Sequence, residues 1–154
     1  MRCCCSLALA AVLALTYTPA FAGISSGGPG GGASGVRAKV HLGAEGDLDG
    51  TGTAKLSLDP RRGAICFEIE VKDIDPVVAV HIHAGEAGLS NEDLVLADLD
   101  FANQGLAGCA RAGRHLVESI LDNLDSRSDP LQFYLHVHSA GFSTGALRGQ
   151  IERD

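Results

Sequence analysis

The chain has 154 residues and a formal net charge of -7 at pH 7, with 19 Asp and Glu against 12 Lys and Arg. Nucleic acids and anionic lipid surfaces carry dense negative charge, so this acidic balance argues against both as partners. By the usual size of a protein domain, a chain of this length builds one hydrophobic core and not two.

The N-terminal segment has the three parts of a secretory signal peptide. Arg2 supplies a positive start, residues 6–18 are almost wholly apolar, and an A-x-A cleavage site ends at Ala22. We expect cleavage after Ala22, which removes residues 1–22 and leaves a secreted or periplasmic protein. The cysteines at 3–5 precede the apolar stretch, which argues against a lipid anchor. No later segment has the roughly 20 apolar residues of a membrane-spanning helix.

A Gly/Ser-rich leader follows at 23–35. Such a composition buries too little apolar surface to offset the entropy of ordering, so we expect a flexible tether before a folded domain at 36–154. Within the leader, Gly30, Gly32 and Gly35 match the dinucleotide-binding fingerprint G-x-G-x-x-G. No strand pattern precedes them and no helix pattern follows, so we assign this motif no function.

From Val36 onward, apolar side chains recur at every second position, which is the period of half-buried β-strands. A turn at 59–63 joins two of these runs and predicts a β-hairpin. Gly, Pro, Asn or Ser residues separate the remaining runs. The predicted strands contain Val40–Ala44, Ala54–Leu58, Ala64–Val71, Val77–Ala84, Leu94–Leu99, Leu131–Val137 and Ala146–Ile151.

One segment departs from this period, because the apolar residues within 116–124 recur at the spacing of one helix face. The alternative there is an irregular crossover between two sheets. Short strands at this spacing predict an all-β fold. We expect a Greek-key β-sandwich or barrel of seven or eight antiparallel strands with one short helical connection.

Two cysteines, Cys66 and Cys109, remain after removal of the signal peptide. An even count in an oxidising compartment predicts one intramolecular disulfide, the alternative being two unpaired buried thiols. Closing a loop of this length stabilises the folded state by about 4 kcal/mol in the chain-entropy model, as an upper figure.

Two His-x-His pairs lie in predicted strands, His81 with His83 and His136 with His138. Alternate side chains of a strand share a face, so each pair projects away from the aliphatic core. If the strands are neighbours, four imidazoles converge and can bind zinc or copper, with release of the ion below about pH 6. The alternative is structural: the histidines hydrogen-bond to strand carbonyls or to carboxylates such as Glu86.

Three blocks stand in order along the chain: GTGTA at 50–54, AVHIHAG at 79–85, and YLHVH at 134–138 running into GALRGQ at 145–150. Together they resemble the CHRD (chordin) domain family over nearly the whole of 36–152. Bacterial members of that family resemble this chain in having a signal peptide and a similarly placed cysteine pair. The resemblance implies an extracellular β-domain without an assigned catalytic activity; in animal chordins such domains lie beside growth-factor-binding modules.

The chain departs from the family pattern at His136, where Asn is expected, and at Ser143, where Pro is common. The His-x-His strand also resembles that of copper-zinc superoxide dismutase, a Greek-key β-sandwich of exported compartments. That enzyme family needs a bridging histidine and a separate zinc set with an Asp. Only His41 and His115 remain here, and neither lies in a matching motif, so dismutase-like redox chemistry is the remotest extension of a metal-binding role.

Two further motifs have formal matches to known sites. Gly141, Ser143 and Gly145 match the G-x-S-x-G nucleophile elbow, but a strand pattern follows them and no histidine does, which argues against a hydrolase. Residues 47–52 imitate the start of a calcium loop, yet Leu58 stands where the bidentate Glu of an EF-hand belongs. That segment is a polar turn or, as the alternative, a weak calcium site.

Arg148 lies in a predicted strand beside Gln150. A guanidinium in such a place is buried only when it pairs with a carboxylate, and Glu68, Glu70 and Asp98 are the candidate partners. The alternative makes Arg148 and Gln150 part of a ligand surface.

These observations predict an exported, non-enzymatic domain. We expect it to bind an extracellular protein, a surface glycan or a matrix component through loops at one end of the fold, without a required cofactor. Fold does not determine function, so this expectation depends on the family resemblance. The alternative is a copper- or zinc-binding protein that uses the four histidines as ligands.

Overall fold

The computed structural model describes residues 35–86, 89, 94–126 and 132–154. The predicted signal peptide and all but the last residue of the predicted leader lie outside this part of the chain, as does Leu131 at the start of one predicted strand. Backbone contacts group Ala33–Asp154 into one unit, which holds all the described strands and helices.

The described residues contain eight strands and two helices. In chain order they are β1 (Val36–Ala44), β2 (Thr51–Asp59), β3 (Ala64–Lys72), β4 (Val77–Ala84), β5 (Val95–Asp98), α1 (Phe101–Gln104), β6 (Ala107–Arg111), α2 (Arg114–Asp125), β7 (Phe133–Ser139) and β8 (Leu147–Arg153).

All strand pairs are antiparallel, and the order across the sheet is β5-β4-β7-β8-β1-β2-β3-β6. Strands β1, β2 and β3 follow one another as hairpins, and β8 returns to lie beside β1, which is the relation typical of a Greek key. The sheet curls into a nearly closed barrel. The predicted all-β fold is therefore confirmed.

The alternating pattern of the strands is confirmed by their burial. On β1, β2 and β3 the buried residues stand at alternate positions, and they are apolar side chains that face the core. Full burial of a Leu or Ile side chain contributes about 1.5–3 kcal/mol. The buried residues of these three strands are Ala38, Val40, Leu42, Ala54, Leu56, Leu58, Ile65, Phe67 and Ile69.

The helix predicted within 116–124 is present as α2, and its Val117 and Ile120 are fully buried in the core. Two elements are not predicted by the sequence pattern. The strand β6 consists of small and polar residues at the edge of the sheet, so it lacks the alternation of large apolar side chains. The other is α1, a single turn. No helix among the described residues is long and apolar enough to cross a membrane.

The predicted disulfide joins Cys66 to Cys109 with an S–S distance of 2.07 Å. These residues are register partners on β3 and β6. The bond therefore fastens the edge strand β6, which the sequence pattern does not reveal, to its neighbour β3.

Candidate metal centre

The strands β4 and β7 are neighbours, with His81 opposite His136 and Ala79 opposite His138. The alternate residues of both strands face the core and are completely buried: Val80, Ile82, Leu135 and Val137. The four imidazoles consequently share the opposite face of the sheet. This is the arrangement expected when two strands with a two-residue period lie side by side.

The histidine face is covered, although the sequence pattern leaves it open. His83 is 1% exposed and His136 is 0% exposed, while His81 and His138 are half-buried. The face of the sheet opposite the aliphatic core therefore also contains buried side chains, and these are polar. Solvent reaches this face at His81 and His138.

Gly85, Glu86 and Leu89, which follow β4 in the chain, are held by hydrogen bonds from β8. The guanidinium of Arg148 donates to the backbone carbonyls of Glu86, at 2.8 Å, and Leu89, at 2.7 Å. Nε2 of Gln150 donates to the carbonyl of Gly85 at 3.0 Å. Hydrogen bonds from a charged donor such as Arg148 contribute about 1.5–3 kcal/mol each, and those from a neutral donor such as Gln150 about 0.5–1.5 kcal/mol. Together they fasten Gly85, Glu86 and Leu89 to the sheet.

The guanidinium of Arg148 also stacks on Tyr134, 3.6 Å from the centre of the ring. Among the described residues it pairs with the carboxylate of Glu45, whose Oε1 lies 4.0 Å from Nη1. The pairing of Arg148 is thus with Glu45 and not with any of the carboxylates proposed from the sequence, Glu68, Glu70 and Asp98. The reason is topological, because β8 lies between β7 and β1, and Glu45 directly follows β1.

Three of the four histidines bring ring nitrogens together. One nitrogen from each of His81, His83 and His138 lies within 4.8 Å of the other two. Nδ1 of His81 is 3.1 Å from Nε2 of His138. Nitrogens bound to one tetrahedral zinc or copper ion, each about 2 Å from the metal, are separated by roughly 3.3 Å. Small side-chain movements therefore suffice to close this group around an ion.

Backbone carbonyls hold the second nitrogen of two of these rings. Nδ1 of His83 lies 3.1 Å from the carbonyl oxygen of Leu94, and Nδ1 of His138 lies 3.0 Å from that of Ser143. A carbonyl only accepts, so each Nδ1 carries the proton and each Nε2 presents a lone pair. Metal-ligating histidines are oriented in this way, with the other ring nitrogen donating to a carbonyl or a carboxylate.

The tautomer of His81 follows from the same contacts. Nε2 of His138 is an acceptor, so in the metal-free protein Nδ1 of His81 donates its proton to it across 3.1 Å. A metal ion held by His81 and His138 would take the place of that proton, and His81 would then carry its proton on Nε2. All three rings would be neutral ligands.

His136, the fourth predicted ligand, stands outside this group of three. Its Nε2 is 2.6 Å from Oε2 of Glu45, and its ring centre is 4.3 Å from that of His138. Its Nδ1 is buried and has no hydrogen-bond partner among the described residues. In this arrangement His136 packs beside the ligands and is tied to Glu45.

Burial sets the charge of these rings. Burial first, and then the neighbouring His138 and His83, together with Arg148, lower the pKa of His136 to about 3. The carboxylate of Glu45 would favour a protonated ring, but it is partly exposed and lies beside Arg148, so burial dominates. Burial and then His138 also lower the pKa of His81, against the opposing effect of Asp98. Both imidazoles are neutral at pH 7.

The turn between β7 and β8 closes over the histidines. The carbonyl of Ser143 accepts from His138, and a Cβ at Gly145 would collide with the ring of His136 and the carboxylate of Glu45. Gly145 has a φ of 148°, which favours glycine. Because a strand follows this turn, the G-x-S-x-G segment has the setting of a tight turn and not that of a nucleophile elbow.

Sequence reasoning missed Glu45, which directly follows β1 and contacts both His136 and Arg148. No local pattern marks it, since its position beside β7 depends on the pairing of β1 with β8. Gly145, by contrast, could have been identified from the sequence, because it is the last glycine of the G-x-S-x-G segment and stands just before a predicted strand.

Comparison with known proteins gives one positive result. The family model described as CHRD domain matches residues 32–151. No curated protein and no solved structure matches the chain. The matched range covers most of the chain and contains both His-x-His strands, the disulfide and the closing strand β8. The chain therefore belongs to the CHRD domain family.

Proposed function

We propose that this CHRD domain is an exported, non-enzymatic binding module and that its ligand is one copper or zinc ion held by His81, His83 and His138. The observation that carries the proposal is the mutual approach of their ring nitrogens within 4.8 Å. The carbonyls of Leu94 and Ser143 support it, because they fix two of the rings with the proton on Nδ1, so that Nε2 is the nitrogen with the chemistry of a metal ligand.

The donor set favours these two metals over others. Neutral imidazole suits copper and zinc, whereas calcium and magnesium require oxygen ligands. Three imidazoles leave a further coordination position, and the half-buried His81 and His138 lie on the side that solvent reaches. A water molecule or a donor from a partner completes the coordination there.

The proposed binding role is one that the protein would have outside the cytoplasm, and two observations support export. The disulfide between Cys66 and Cys109 is the kind of bond that persists in an oxidising compartment. Membership of the CHRD family supports an interaction role outside the cytoplasm. The second candidate function is accordingly the binding of an extracellular protein, glycan or matrix component, with or without the metal.

Metal analysis of the purified protein tests the proposal. After loading with zinc or copper and removal of excess ion, we expect one equivalent per chain in the wild type. His81→Ala and His138→Ala should each weaken metal binding by roughly tenfold or more. Removal of a group that only hydrogen-bonds to a metal ligand already lowers metal affinity by about 10- to 100-fold, and removal of the ligand itself should cost at least as much. His115→Ala is the matched control, since that side chain is fully exposed on α2.

The histidines are structural if the wild type retains no stoichiometric metal while both variants lose thermal stability. Equal loss of metal in the His115 variant would also contradict the proposal, because it would indicate nonspecific binding to surface imidazoles. Circular dichroism of each variant establishes that the fold is retained.

A further inference from the structure

A second feature lies on the other half of the sheet, around the turn between β2 and β3. A cavity of about 600 Å³ opens there between that turn and the edge strand β6. Its wall has three guanidinium groups around a small apolar floor. The lining residues are Arg61, Arg62, Ala64, Cys109, Ala110 and Arg111.

Backbone contacts hold the arginine-bearing segments in place. Oδ1 of Asp59 accepts the backbone N–H groups of Arg61, at 2.9 Å, and Arg62, at 3.1 Å. The carbonyl of Gly63 accepts the N–H of Ala112 at 2.9 Å, which joins the turn to the end of β6. The disulfide fastens β6 to β3 beside the same cavity. The positions of the arginines are therefore preorganised, although their side chains are exposed.

The cavity is locally cationic in an acidic protein of net charge -7. Arg114 adds a fourth guanidinium, whose Nη2 donates to the carbonyl of Arg61 at 3.3 Å. Arg62 pairs with Asp59 at 3.6 Å. Among the described residues, Arg61, Arg111 and Arg114 form no ion pair. Of these four arginines only Arg62 has a carboxylate partner among the described residues, so the cavity has a local excess of positive charge.

We propose that this cavity binds an anionic polysaccharide through carboxylate or sulfate groups on its sugars. A guanidinium offers paired donors that match the geometry of such groups. Ala64, Ala110 and the disulfide provide an apolar floor for a sugar ring. The acidic remainder of the surface repels a densely charged nucleic acid, whereas a polysaccharide with about one charge per sugar or per two sugars can place a few groups in the cavity.

Titration of the purified protein with polygalacturonate, chondroitin sulfate and neutral dextran tests this proposal. We expect both anionic polymers to bind and neutral dextran not to bind. The double variant Arg61→Gln, Arg111→Gln should weaken the binding by roughly tenfold or more, since each lost contact is a charge-assisted hydrogen bond. The matched control is Arg37→Gln, Lys72→Gln, which removes the same charge from exposed positions outside the cavity and should weaken binding by about twofold or less.

Equal weakening in the two double variants would overturn the proposal, because it would indicate a response to net charge alone. Tighter binding to duplex DNA or to anionic lipid vesicles than to either polymer would overturn it as well. The same titrations with His138→Ala separate this inference from the metal site: polymer binding should be unchanged, whether or not that variant has lost its ion.

Discussion

His136 is a buried residue that contacts two more exposed side chains, Glu45 and His138. Its ring is completely buried, its Nε2 contacts Glu45, and its edge packs against His138. Gly145 leaves the space that this packing needs. Asn, which the family resemblance predicts at this position, would keep a hydrogen bond to the carboxylate but has no ring to support the neighbouring imidazole.

The low pKa of His136 predicts a loss of stability in acid. The unfolded chain protonates this residue below its ordinary value of 6.5, while the folded protein protonates it only at about pH 3. Between these values the unfolded state binds more protons, so the contribution is fully present above pH 6.5 and is lost as the pH falls towards 3. The slope attributable to this group is at most about 1.4 kcal/mol per pH unit.

Urea unfolding of the metal-free protein at a series of pH values measures this effect. His136→Asn provides the comparison, because it removes the titrating ring while retaining a donor. The variant should show a shallower loss of stability between pH 6 and pH 4 than the wild type. Parallel curves would mean that the carboxylates alone produce the acid sensitivity.

At the scale of elements, the edge strand β6 depends on the strand beside it. Its residues are small or polar, and only Ala110 is buried. It owes its place to the ladder with β3 and to the bond between Cys66 and Cys109. Its register also places Arg111 opposite Ala64, at the wall of the cationic cavity.

Removal of the disulfide should destabilise the domain by up to about 4 kcal/mol, because 43 residues separate the two cysteines and the bond restricts the unfolded chain. The double variant Cys66→Ser, Cys109→Ser tests this by urea unfolding, and hydrogen exchange should report reduced protection of β6. A reducing agent should destabilise the wild type and leave the double variant unchanged. An unaltered unfolding midpoint in the variant would contradict the prediction.

At the scale of the whole molecule, one half of the sheet has two buried layers. The aliphatic faces of β4 and β7 close the core, while on the opposite face His83 is buried beside Tyr134 and His136 beside Glu45. The proposed metal site therefore lies on the outer face of the sheet, next to this buried layer. The cationic cavity belongs to the opposite end of the strand order, beside β6.

Export of the whole chain is tested by the N-terminus of the mature protein. We expect processing after Ala22, so that intact mass and N-terminal sequencing identify Gly23 as the first residue. Ala20→Arg together with Ala22→Arg should block processing, because the cleavage site requires small side chains. A mature wild-type protein that still begins at Met1 would contradict the prediction.

The sequence by itself determined the features that depend on local periodicity. Alternation along the strands predicted the all-β fold and the shared face of each histidine pair, since a two-residue repeat decides on which face a side chain lies before any strands pair. The helix-like spacing of the apolar residues within 116–124 predicted α2. The even cysteine count predicted the bond between Cys66 and Cys109, which is confirmed.

Only the tertiary structure decided which side chains meet across strands. The pairing of β1 with β8 brings Glu45 to His136 and Arg148, and the fold buries His83 and His136 on a face that alternation alone leaves exposed. The tertiary structure likewise separates His136 from His81, His83 and His138, whose ring nitrogens lie close together. These contacts join residues far apart in the chain, so they depend on strand order and register, which a local pattern does not contain.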